Sequence, residues 1–326
     1  MTEHTFRSIT PPLWLLALTV SGVNIGMALL APAIPMLRDD LSATGDEAQL
    51  VLSAFLIMLG LGQLVAGSLS DMLGRRPVLL SGSLLFAIAG AAALVAPTIE
   101  LLILARAVQG FGASACMAVG RVIINDSFDR TEAGRQLSTI TMIQSIVPLM
   151  GFAGGGLIAD FIGWRGSIGI MVLTAAVIFT ANLVLLGETN QNRVPRAPLL
   201  KVIGVFVLLV RSREFMVHAS SGALLTAAYF ALGGFMPYQF QRLGASVTMI
   251  GLLFSMTAFG YMSGNNLSRY VGPRIGLESA VLLGGVISLL AILLLVLLEM
   301  AGLASPWVIS GCLFLYGVAN GLVVAN

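Results

Sequence analysis

Ten long stretches of this sequence are almost free of charge, and that property confines the chain to very few architectures. Ser8–Leu37, Ala48–Ser70, Pro77–Ile99, Gln136–Ala159, Gly166–Gly187, Phe215–Gln241, Leu243–Ser268, Ser279–Leu298 and Met300–Asn326 contain no Asp, Glu, Lys or Arg. Leu101–Gly120 contains only Arg106. A helix of about 20 apolar residues crosses the hydrocarbon layer of a bilayer. Lipid offers the backbone no hydrogen bonds, so a spanning segment is a helix or part of a closed barrel. A barrel would be written as short alternating strands, whereas these runs are long and continuously apolar.

Composition agrees. Of 326 residues, 57% are apolar and 10% charged, against about 25% charged in a soluble domain, and the mean hydropathy is +0.97. A water-soluble fold could not hide so much apolar surface, which excludes an ordinary soluble enzyme. A disordered chain would need the opposite composition. The net charge of +2 is too small for an electrostatic nucleic-acid binder. Cys116 and Cys312 both sit in apolar runs, so neither a disulfide framework nor a zinc site is expected. The sequence predicts an all-α, polytopic membrane protein with ten spans and no metal or cofactor.

The first run is too long for a cleaved signal peptide, and Glu3 with Arg7 makes a weak basic start. Ala31-Pro32-Ala33-Ile34-Pro35 reads as a helix exit, because proline removes backbone donors. Lys and Arg in the loops set the orientation. With the N-terminus inside, the inner segments hold Arg7, Arg75, Arg76, Arg130, Arg135, Arg193, Arg196, Lys201, Arg211, Arg213, Arg269 and Arg274. The outer loops hold only Arg38, Arg165 and Arg242. That bias predicts a cytoplasmic N-terminus.

The longest polar stretch, Glu188–Glu214, contains Pro195 and Pro198 and follows six of the ten spans. It divides the chain into a six-helix bundle (1–190), a cytoplasmic linker (191–213) and a second bundle of four helices (214–326). A weak repeat supports two related halves. Gly67-Ser68-Leu69-Ser70-Asp71-Met72-Leu73-Gly74-Arg75-Arg76 joins spans two and three, and Gly264 through Gly272-Pro273-Arg274 joins spans eight and nine. Two bundles of like topology are the parallel-repeat plan of a secondary transporter. That plan asks for twelve spans, so the last two helices are expected to be missing here; a true ten-span protein is the alternative.

Several residues invite a functional reading. Gly67 would let two helices approach closely. Asp71 is an acid at the membrane edge, costly there without a cation or a helix N-terminus. Gly74 permits a tight turn, and Arg75 and Arg76 hold the loop inside or merely obey the charge bias. Arg106 lies within an apolar span, about 10 Å from its outer end at 1.5 Å per residue. Such an arginine faces a cavity or partner, or else it reaches the outer surface and pairs with Glu100. Gly151 and Gly155, and Gly260 and Gly264, are four apart and so share a face for close helix packing. Asn24, Gln109, Gln144, Tyr229, Phe235 and Gln239 are polar or aromatic groups within spans, of the kind that give a mostly apolar site its few specific contacts. No P-loop, His-Glu-x-x-His or Gly-x-Ser-x-Gly pattern occurs, so no catalytic residue is assigned.

The Gly67–Arg76 loop with Pro77 and Val78, the Arg106-Ala107-Val108-Gln109-Gly110-Phe111-Gly112 run, Arg121 to Asp126, and Gly163-Trp164-Arg165 together resemble the major facilitator superfamily, specifically its Bcr/CflA-type drug:proton antiporters. The resemblance implies a six-plus-six helical fold in the bacterial inner membrane. It also implies efflux of small amphiphilic compounds by alternating access, protons as the coupling ion, a lipid bilayer as surroundings and a monomeric state. It gives Asp71 a gating role through an eleventh helix, and Arg106 a role in coupling proton and substrate movement. Two departures stand out. The family's Gly-Pro pair in span five is replaced by Gly151-Phe152, and the acid related exporters carry in span one is replaced by Met27-Ala28-Leu29-Leu30. No carboxylate lies mid-membrane in any run, which disfavours cationic substrates. The alternatives are a uniporter or symporter for an anionic metabolite, or a non-transporting remnant.

Overall fold

The computed structural model describes residues 10–190, 204 and 208–324. Its regular elements are helical. The first run forms α1 (Leu13–Leu30), which tightens into a 3-10 turn at Ala31–Ala33 and resumes as α2 (Ile34–Asp40). The expected exit at the prolines is therefore a continuation. Pro32 and Pro35 each occupy a first-turn position, where the missing N–H costs nothing. The chain continues through α3 (Gly45–Leu73), α4 (Arg75–Leu94), α5 (Ile99–Ser127), α6 (Arg130–Ile162) and α7 (Trp164–Leu185). Beyond the linker come α8 (Arg213–Arg242), α9 (Val247–Ile275), α10 (Leu277–Met300) and α11 (Pro306–Val324). Residues 191–203 and 205–207 of the expected linker, and the segment holding Glu3 and Arg7, lie outside the described residues.

The helix starts are written locally. Thr98 accepts from the Leu101 N–H, Ser212 from that of Phe215 and Ser246 from that of Met249, each satisfying an orphan first-turn donor. Asp129 does the same for Thr131 and Glu132 at the head of α6. Asp46 and Glu47 open α3 with negative charge, favourable at the positive end of a helix dipole.

Among the described residues, nine helical segments are long and apolar enough to cross a membrane. The tenth expected span, outside those nine, also forms a helix, α8, of 30 residues. Ser220, Ser221, Thr226, Gln239 and Gln241 dilute its apolar content, and it is the least apolar of the long helices. At the other extreme, the α10 span has a hydropathy of 3.1 and is only 22% buried. Leu282, Leu289 and Leu290 there are more than half exposed, as expected of a face that meets an apolar environment rather than water.

The chain forms two compact units. The first comprises Met1–Gly26, Asp46–Gln144 and Ile168–Phe206. Its core joins Leu15, Leu16 and Val20 of α1 to Val78 and Leu79 of α4, Val119 and Ile123 of α5, and Ile140 of α6. The second comprises Met27–Gly45, Ser145–Ser167 and Val207–Asn326. Its core includes Phe254 of α9 and Tyr316 of α11, both essentially unexposed, and Phe254 packs edge-on against Phe152 at 4.6 Å.

Two helix corners share one backbone device. Gly74 joins α3 to α4 by itself at φ 107°, ψ 154°, and Gly276 joins α9 to α10 at φ 85°, ψ 155°. That backbone region is open essentially to glycine alone. The stretch Gly264–Arg274, read from sequence as joining the two spans, lies inside α9, and the corner itself is at Gly276.

Candidate functional site

Arg106 is completely buried, among the largest side chains without any exposure. Its Nη1 donates to Gln109 Oε1 at 2.7 Å and to the thioether of Met171 at 3.1 Å. Its Nε reaches the Val51 carbonyl at 3.4 Å, and the guanidinium lies 4.3 Å from the centre of the Phe55 ring. Among the described residues it meets no carboxylate, and it does not pair with Glu100. A charge in a span costs about 3 kcal/mol even on insertion scales; here two neutral acceptors, a long backbone contact and an aromatic face offset that cost.

Three glycines make the space. A Cβ on Gly110 would strike the Phe55 carbonyl oxygen, so its absence lets α5 lie against the α3 backbone that carries the ring. A Cβ on Gly90 of α4 would stand 2.5 Å from Gln109 Nε2. One on Gly26 of α1 would run into the Met171 thioether. Gln109 is itself unexposed, and the arginine dictates its amide orientation: guanidinium only donates, so Oε1 faces it and Nε2 points away. Two donors, Arg106 Nη2 and Gln109 Nε2, are buried with no partner among the described residues.

The second constellation lies where α3 meets α4. Arg75 contacts Asp71 at 2.5 Å, Asp126 at 2.8 Å and Ser70 Oγ at 2.7 Å. Its backbone N–H donates to Glu188 at 2.9 Å. Arg76 donates to the carbonyls of Leu186 and Leu183, covering the negative end of α7. The Asn190 amide closes the set on the carbonyls of Ser70 and Asp71. Asp71 remains half exposed. A Cβ on Gly67 would meet no described atom within 4 Å, so the close approach expected there is not made by the described residues.

The remaining glycines do pack closely. In the second unit, Gly151 would place a Cβ 2.5 Å from that of Ala28, and Gly155 lies against the Leu29 carbonyl. Gly260 and Gly264 of α9 press on the carbonyls of Phe314 and Val318 in α11. Gly317 and Gly321 of α11 press back on those of Thr257 and Tyr261. The sequence reading caught one side of this reciprocal contact. It also missed Asp160, which accepts from both the N–H (2.9 Å) and the hydroxyl of Thr248 at the start of α9.

Of the other candidates, Gln144 accepts from Arg121 at 3.2 Å, and Asn24 is partly buried in the first unit. Tyr229, Phe235 and Gln239 belong to the second unit. Phe235 is 45% exposed. Met171, Phe55, Asp126 and Glu188 are the contributors sequence reasoning did not single out. Only Asp126 left a signal, at the end of the Arg121–Asp126 stretch.

Comparison with known proteins extends this picture. The model of the Major Facilitator Superfamily matches residues 16–326. An "Uncharacterized MFS-type transporter YdgK" of Bacillus subtilis (strain 168) is 29% identical over 312 residues, 93% of this chain and 76% of the relative. A "Chloramphenicol resistance protein" of Pseudomonas aeruginosa is 27% identical over 308 residues, 93% of this chain and 72% of that protein. Among solved structures, a bacterial homologue of the human lysosomal transporter Spinster, inward-facing and unoccupied, superposes with TM-score 0.73 at 19% identity. That superposition covers 99% of this chain and 74% of the other.

Proposed function

The chain belongs to the Major Facilitator Superfamily, a family of membrane transporters rather than enzymes, and from that footing we propose that it is a secondary active exporter of small amphiphilic compounds, of the antibiotic and multidrug efflux kind. It works by alternating access and proton antiport, in a bacterial inner membrane, with the N-terminus cytoplasmic. Residues 1–190 and 214–326 are the two bundles, joined by a cytoplasmic linker at 191–213. Only Gly74 of the expected Gly67–Arg76 loop is non-helical; Gly67, Asp71, Gly74, Arg75 and Arg76 act as the gate at this helix corner, and Arg106 with Gln109 is the coupling and binding centre.

The observation that carries this reading is the fully buried Arg106, hydrogen-bonded to Gln109 and Met171 and paired with no acid among the described residues. A charge buried in a span costs more than an apolar residue that packs equally well, so its presence points to a function beyond packing. The name of the Pseudomonas relative supports efflux. The same lack of an acid favours a second reading, a uniporter or symporter for an anionic metabolite, because proton antiport needs a titratable group whose pKa the cycle can shift.

Expression in an efflux-deficient host decides between them. The first reading expects resistance to chloramphenicol that disappears with a proton uncoupler and with Arg106→Ala. Export of ethidium-like cations without phenicols would contradict it. Resistance that survives the uncoupler would remove antiport.

A further inference from the structure

Helix α5 carries two arginines whose side chains meet glutamines instead of acids. Arg106 donates to Gln109 and Arg121 to Gln144. Fifteen residues separate them, about 22 Å along the helix and about 60° around it. Arg121 is exposed and Arg106 is not. Among the described residues neither arginine forms an ion pair. The local inventory at Arg106 is one-sided: Nη2 of the arginine and Nε2 of Gln109 are buried donors without acceptors among the described residues. The one soft spot is Met171, whose thioether accepts from Nη1 at 3.1 Å. A thioether is a weak acceptor on a flexible side chain, and a carboxylate oxygen outcompetes it by charge-assisted bonding.

We propose that Arg106 and Gln109 form a binding site for the carboxylate of a small organic anion. Met171 is the side chain that vacates the site and, by carrying no charge, sets its preference for anions. Arg121 is the first contact at the cytoplasmic end of the same helix. The site rests on the transporter reading for its purpose but not for its chemistry. An anion arriving at Arg121 is drawn by a solvated cation. At Arg106 it supplies the acceptors that two buried donors lack and compensates a charge no described residue compensates. A glutamate at position 171 would supply both internally.

The test is equilibrium binding of three probes with one ring and different heads, benzoate, benzamide and benzylamine, to the purified full chain. Benzoate is expected to bind at least about tenfold tighter than benzamide, with benzylamine weakest, the scale of one charge-assisted hydrogen bond. Met171→Glu should cost benzoate at least about tenfold. Arg121→Gln should slow benzoate association and flatten its salt dependence. Where Met171→Glu does not fold, judged by thermal unfolding, Gln109→Leu decides, with an expected loss of about tenfold. Equal binding of the three probes, as a site filled by water alone would give, overturns the proposal. So does a folded Met171→Glu, or Gln109→Leu in its place, that keeps full benzoate affinity. Chloramphenicol export by the same variants separates the two readings. Export without benzoate preference removes only the anion site, and benzoate preference without export of any compound removes only the transporter.

Discussion

Arg75 and Asp126, 51 residues apart in sequence, meet at 2.8 Å through the guanidinium Nε and a carboxylate oxygen. The arginine side chain is 9% exposed and the aspartate 27%, so water screens the pair only in part. The contact ties the corner between α3 and α4 to the end of α5. Asp126→Asn should therefore cost about 1.5–3 kcal/mol of stability. Asp71→Asn, on the more exposed partner, should cost less than about 1 kcal/mol. Unfolding of both single variants and of the double variant in detergent measures the coupling, and a coupling near zero would mean the pairs act independently.

Gly264 faces a backbone carbonyl, and backbone cannot step aside. Gly264→Ala should destabilise the second unit by about 1–3 kcal/mol through overpacking. Gly285→Ala, where a Cβ meets open space, should be neutral or gain up to about 1 kcal/mol from helix propensity. Thermal unfolding of the two variants side by side checks the contrast.

The corner at Gly74 has a backbone that other residues rarely adopt. Gly74→Ala should cost about 1–3 kcal/mol in strain and lower the yield of folded protein. Gly134→Ala, with nothing within 4 Å and no left-handed backbone, is the control.

Asp160 caps α9 from another helix. Asp160→Ala should cost about 1 kcal/mol and speed amide hydrogen exchange at Thr248, while Asp160→Asn should retain most of the protection. Unchanged exchange in the alanine variant would remove the capping role.

The spans could be read from sequence because lipid makes hydropathy nearly sufficient: a long run without charge has few other fates. The faintest signal was α8, where serines and glutamines thin the apolar content although the helix forms. Pro32 and Pro35 misled because proline blocks a helix interior yet suits a first turn, and only the geometry tells which position it holds. Arg106 was conspicuous as a lone charge in grease. Its neighbours were not, because Met171 and Phe55 are ordinary apolar residues whose role comes from Gly26 and Gly110 admitting them. That Asp126 and Glu188 both meet Arg75 was hidden for another reason. They lie far along the chain from Arg75, and sequence spacing carries no record of contacts made between helices.

The most direct measurement is uptake of chloramphenicol by energised everted membrane vesicles containing the wild-type chain, Arg106→Lys or Arg106→Ala at matched membrane levels. The account predicts uptake that collapses with the proton gradient, falls strongly in the lysine variant and vanishes in the alanine variant. Uptake by the alanine variant at the wild-type rate would contradict it.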